Sequence, residues 1–318
     1  MKNFAKICFY ASLVITAIGC FLGLLFFLKG DILMSGLFTV IMVAFQYVLV
    51  TKFVEHKELV RKNRMSFISV VLWVFHLLLV LPVSYFTLHA VNVLIFEKAK
   101  IMESAEVLIN EIDQSHDDVK EIHIEYLDAK GKELELKLND FLKGNSSLEA
   151  EVTKAPFNIP AATLEQLKNR DITSADIRDK FKVARIDAFE KNSLDPKEFK
   201  DFDNYKTKIR KWNLLQVSDA LFQLDQYKIR STAKCKKALA EEIQGADAAK
   251  YPFNPTFSAL YNPLLTPGKV LTQHLVPSLV WFVLLNLFML APFMLTQTVG
   301  GYRKKVDYYP GGRIITKP

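Results

Sequence analysis

Residues Ile7–Leu28 read ICFYASLVITAIGCFLGLLFFL, without one Asp, Glu, Lys or Arg. Three more stretches share that property: Ile32–Thr51, Met65–Phe96 and Val270–Tyr302. At 1.5 Å per helical residue, about 20 residues cross a hydrocarbon core of about 30 Å, and each stretch reaches that length. The pattern excludes a soluble enzyme, a disordered tail and a membrane β-barrel, whose strands are far shorter. It predicts an α-helical multi-pass protein with four transmembrane helices.

Charge sets the expected orientation. The formal net charge is +7, yet residues 97–269 hold 28 Lys+Arg against 30 Asp+Glu. The excess therefore lies in the short segments beside the apolar runs. Lys2 and Lys6, the group Lys52, Lys57, Arg61, Lys62 and Arg64, and the group Arg303, Lys304, Lys305, Arg313 and Lys317 carry it. Cations stay on the cytoplasmic side of membrane helices. With four spans, both termini and the linker 53–64 are then cytoplasmic, and residues 97–269 lie on the opposite side of the membrane. A folded nucleic-acid binder shows a basic face; residues 97–269 have no basic excess, and no nucleic-acid partner is expected.

The resulting organisation is a helical hairpin over 1–52, the basic linker 53–64, a third span within 65–96, an α+β domain over 97–269, a fourth span over 270–300 and a tail over 301–318. The start of the chain also has the outline of a lipoprotein signal ending at Gly19-Cys20. Ala17 and the apolar Phe21–Leu28 argue instead for a retained helix. Cys8, Cys20 and Cys235 offer neither a CxxC motif nor an intradomain pair.

Within the spans, Gly19 and Gly23 form a GxxxG pair, suited to close helix packing in lipid. Ser69, His76 and Thr87 share one helical face. His76 at membrane depth is a functional candidate, with an interhelical hydrogen bond as its plainer role. Pro82 should kink the third span, whose helix is expected to continue as a stalk through Asp113.

The outer domain is read as mainly helical with one β-hairpin. Ile122, Ile124 and Tyr126, then Asp128–Gly131, then Leu134, Leu136 and Leu138 alternate with period two around a short loop. Ala161–Arg170 and Ser174–Lys191 read as helices. Pro196–Ile243 reads as one long helix or as two broken near Asn204 or Ser231. Tyr251–Gly268, with four prolines, reads as an extended return.

The search for chemistry is empty: no GxSxG, HExxH, phosphate loop, GxGxxG or calcium loop is present. His116 and His123 flank Asp117 and Asp118, an arrangement that fits solvated loop residues better than a metal cluster. No enzyme activity, cofactor or metal is expected. The tail Tyr308-Tyr309-Pro310-Gly311-Gly312-Arg313 has the aromatic and Arg content of a docking peptide.

Three N-terminal spans, a helical outer domain, a last span and the basic aromatic tail Tyr302–Arg313 resemble TssN, an inner-membrane component of the type VI secretion apparatus of Bacteroidetes. The resemblance implies a structural, oligomeric subunit of a trans-envelope complex. It would contact other membrane subunits, periplasmic proteins and lipid, and a cytoplasmic baseplate through linker and tail. The alternatives are a membrane sensor or receptor with a ligand-binding periplasmic domain, and an accessory to a channel or transporter.

Overall fold

The computed structural model describes residues 2–59, 67–193 and 196–295. Helix makes up 84% of it, and no strand occurs among the described residues. The chain forms two compact units. One contains residues up to Ile101, the short segment Trp212–Asp219, and the chain from Asn262 onward; the other contains Met102–Lys211 and Ala220–Tyr261.

The first unit is built from α1 (Lys2–Phe27), α2 (Ile32–Leu59) and α3 (Phe67–Asn92), which leads through a π-helical turn at Val93–Glu97 into α4 (Lys98–Leu142). Positive φ at Lys29 and Gly30 (56° and 86°) closes the α1–α2 hairpin. In α1, Gly19 and Gly23 face α3. A Cβ on Gly19 would stand 2.6 Å from Cγ2 of Thr87, and one on Gly23 would stand 2.6 Å from the carbonyl carbon of Phe86. Pro82 lies inside α3, which stays unbroken there.

Several hydroxyl side chains in these apolar helices donate to backbone carbonyls. The Ser12 hydroxyl donates to Leu285 O at 3.0 Å, and Thr87 donates to Val83 O at 2.8 Å. At the far end from Gly30, the rings of Phe53, Trp73, His76 and Phe293 meet edge to face at 4.9–5.8 Å. There the Lys57 ammonium donates to Phe293 O, one of the carbonyls left unpaired at a helix end.

Two expectations about the architecture fail. The first is the four-span count. Three helices are long and apolar enough to cross a membrane: Phe4–Phe27, Ile32–Lys57 and the 76-residue run Phe67–Leu142. The fourth apolar run is broken instead into α10 (Pro267–Gln273) and α11 (Leu275–Leu295), bent by 100° at His274. Pro277 explains the position of the break. In a continuous helix its ring would collide with the carbonyl four residues back, at Gln273; in the first turn of α11 it is tolerated. The alternation that placed the C-terminus beside the N-terminus falls with this count.

The second failure is the β-hairpin and, with it, the α+β domain. Residues 122–138 lie wholly inside α4. The buried positions Val119, His123, Tyr126, Leu127, Leu134, Leu138 and Phe141 recur at three- and four-residue steps, while Ile124 and Leu136 of the supposed strands are exposed. Gly131 is no turn. Its bare backbone lets Arg178 Cγ approach to 3.1 Å of where a Cβ would stand.

The second unit is therefore all helical. Its further helices are α5 (Glu149–Val152), α6 (Ala161–Lys168), α7 (Ser174–Ser193), α8 (Pro196–Arg210) and α9 (Val217–Glu242). Leu134, Leu138, Leu164, Leu167, Phe181, Phe189 and Leu239 share one core with α4. Burying each such side chain contributes about 1.5–3 kcal/mol. The Pro196–Ile243 region breaks at 211–216, where Trp212 takes a left-handed φ of 46°, and not near Asn204 or Ser231.

Candidate functional site

The first unit carries a buried polar joint where the π-turn meets the broken helix. Glu97 closes the π-turn with 1% of its side chain exposed. One of its carboxylate oxygens lies 2.5 Å from Nε2 of His274, the residue at the bend. The His274 ring also stacks on Phe96, with centroids 4.7 Å apart. From the same joint, the Asn92 amide donates to the Ser278 hydroxyl at 2.8 Å, and that hydroxyl donates to the His274 carbonyl at 2.7 Å. His89, fully buried, bonds the Leu264 carbonyl at 3.0 Å. Lys100 reaches Glu97 at 3.4 Å but is 61% exposed, so solvent weakens that pair.

Each part has a local cause. The π-turn (Lys98 N–H to Val93 O) adds one residue to a helical turn, a distortion often found where function needs a side chain re-aimed. The break before Pro277 releases the His274 ring from the helical row. The contact of the Glu97 carboxylate with the His274 imidazole ties the start of α11 to the π-turn that follows α3. No hydroxyl or thiol stands in the described network as a nucleophile activated by His274.

Neither Glu97 nor His274 is singled out by the sequence reading. Their signal was present: Glu97 is the first charge after the third apolar run, and His274 is an ionisable residue inside the fourth. Their pairing, 177 positions apart, leaves no periodic trace.

The expected site residues are placed as follows. Gly19 and Gly23 lie against α3. His76 is buried between Phe53 and Trp73, and its Nδ1 has no hydrogen-bond partner among the described residues. Ser69 bonds His56 at 2.9 Å, and Thr87 turns toward α1. Tyr308, Tyr309, Pro310 and Arg313 lie outside the described residues, as does most of the 53–64 linker's basic half.

His116 and His123 are not solvated loop residues. Both sit inside the core side of α4. His116 lies among Phe199, Phe202 and Tyr227 at 5.9–6.2 Å, with neither ring nitrogen partnered among the described residues. His123 stacks on Phe189 at 3.9 Å. Burial pushes the ionisation of both rings down, that of His123 from 6.5 to about 4. Asp117 and Asp118 do not join them, and no cluster of three metal-ligating side chains occurs among the described residues. No protein-family model, curated protein or solved structure matches this chain.

Proposed function

We propose that this chain is a non-catalytic assembly subunit of a trans-envelope complex, of the type VI secretion kind suggested by its TssN-like layout. It is embedded in a bacterial inner membrane with the basic Lys52–Arg64 segment in the cytoplasm and residues 97–269 in the periplasm. The observation that carries the reading is the uninterrupted helical run Phe67–Leu142. Its first part is an apolar span, and its later part supplies Leu134 and Leu138 to the core of the second unit. One chain segment thus serves both the apolar helices and the domain that would meet partners. The surface of α4 carries ion pairs to neighbouring helices, Arg210–Glu106 at 2.5 Å and Arg178–Glu135 at 2.7 Å, and solvent weakens both.

Affinity purification of the full chain after mild detergent extraction tests the assembly role. Stoichiometric recovery of envelope and baseplate-type proteins is expected; a chain that elutes alone from its native membrane refutes it. The receptor reading has one observation in its favour, a cleft of about 630 Å³ lined by Lys120, Asp187, Glu190, Lys191, Pro196 and Phe199. A charged small molecule retained in that cleft by the purified lone chain would favour it instead.

A further inference from the structure

The loop between α8 and α9 points to an interaction that neither the sequence nor the assembly role assigns. Trp212–Asp219 belongs to the unit of apolar helices, although the helices on both sides of it in the chain belong mostly to the other. Three contacts hold it there. The Ser218 hydroxyl donates to Phe26 O at 2.7 Å, satisfying a carbonyl in the last turn of α1. Asp219 packs on Gly30, whose Cβ position would lie 3.1 Å from its own Cβ. The Trp212 ring lies 5.5 Å beneath the Lys98 ammonium.

Phe26–Gly30 and Lys98 are the points where two apolar runs end, the depth at which hydrocarbon gives way to headgroups. At that depth the loop presents Leu214 and Leu215, exposed by 37% and 45%, with the Leu215 carbonyl 3.6 Å from where a Cβ on Gly30 would stand. Its backbone is self-sufficient. Asn213 Oδ1 accepts from Leu215 N–H at 3.2 Å, while Asn213 O accepts from Gln216 and Val217 N–H at 2.9 and 2.7 Å. Pairing these three donors inside the turn lowers the cost of bringing it to a membrane interface.

We propose that Asn213–Gln216 is an interfacial anchor whose Leu214 and Leu215 side chains insert into the lipid surface around the apolar helices. The partner is the bilayer itself, met at the boundary of acyl chain and headgroup, where Trp and Lys side chains also settle. The inference rests on the lipid-embedded character of the helices and not on the assembly role.

The test uses the full chain in lipid nanodiscs, with L215W and, independently, L214W, both at partly exposed positions. Emission added over the parent chain is measured with acyl-brominated phosphatidylcholine and with aqueous iodide. Brominated lipid is expected to remove more than about half of the added emission while iodide leaves it, as for an aromatic ring at interfacial depth. Quenching by iodide alone places the loop in water and overturns the proposal. Quenching by neither places it against protein and overturns it as well. The parent chain supplies the control, because Trp281 on α11 is 41% exposed. A parent quenched by brominated lipid without any added effect from L215W or L214W refutes the anchor alone. A parent that brominated lipid does not touch refutes the membrane reading beneath it.

Discussion

Replacing Gly23 by alanine adds one methyl group to the α1–α3 interface. Its carbon would stand 2.6 Å from the carbonyl carbon and 3.0 Å from Cα of Phe86. Both are backbone atoms, so no rotamer change relieves the overlap. Carbon atoms rest at about 3.5–4.0 Å, which obliges the two helices to part by about 1 Å. A gap of that size forfeits a quarter to a half of each dispersion contact it opens, and overpacking of this kind costs about 1–3 kcal/mol. Alanine returns up to about 1 kcal/mol of helix propensity. The net expectation for G23A is a loss of about 1 kcal/mol. Gly36, on α2, is the internal control, since a Cβ there meets nothing within 4 Å. G36A should be neutral or stabilising by up to about 1 kcal/mol. Equilibrium unfolding in mixed micelles, followed by helicity, reads both. Cys20, fully buried beside Gly19, gives a second readout: its reaction with a maleimide, in a C8S, C235A background, should accelerate in G23A and not in G36A. If the two variants shift stability equally, or G23A is the more stable, the argument from backbone proximity is refuted.

Three other outcomes follow from the geometry. E97Q and H274A should each destabilise the first unit, and in a double-mutant cycle they should couple by more than about 1 kcal/mol, because removing one partner of a buried pair strands the other; coupling near zero would deny the 2.5 Å contact its role. The second unit should lose stability as pH falls from about 6.5 to about 4. The unfolded chain binds a proton at His123 that the folded core rejects, and a shift of that size corresponds to at most about 3 kcal/mol; H123L should flatten this slope, and an unchanged slope would show that the ring is not buried neutral. A membrane-impermeant maleimide should label a cysteine placed at exposed Leu136 in intact cells with a permeable outer membrane; labelling only after lysis reverses the proposed orientation.

The apolar runs were legible because each lies in one contiguous stretch of sequence. What the sequence concealed was set by partners distant in the chain. The period-two reading of 122–138 failed because Ile122 and Tyr126 are also four apart, so one segment satisfies both periods. Gly131 passes for a turn residue only until Arg178 and Lys182 are seen to pack over it. The break at Trp212 carries no Gly or Pro; Ser218 is held by a carbonyl 192 residues away. The joint of Glu97 and His274 depends on a π-turn and a bend, neither of which has a residue-type signature comparable to an apolar run. His116 and His123 looked solvated beside Asp117 and Asp118, yet they lie on the opposite face of the same helix from those charges' surroundings, among aromatic rings.

The wide turn at Val93–Glu97 also has an arithmetical consequence. Elsewhere in Phe67–Leu142, deleting a residue would rotate everything downstream by about 100° and scramble which side chains meet the core. The π-turn already holds one residue in surplus, so losing Ile95, which is 57% exposed, would regularise the screw and leave both flanks in phase. That turn is the one place along the rod where chain length has slack, and insertions or deletions in kindred sequences should gather there.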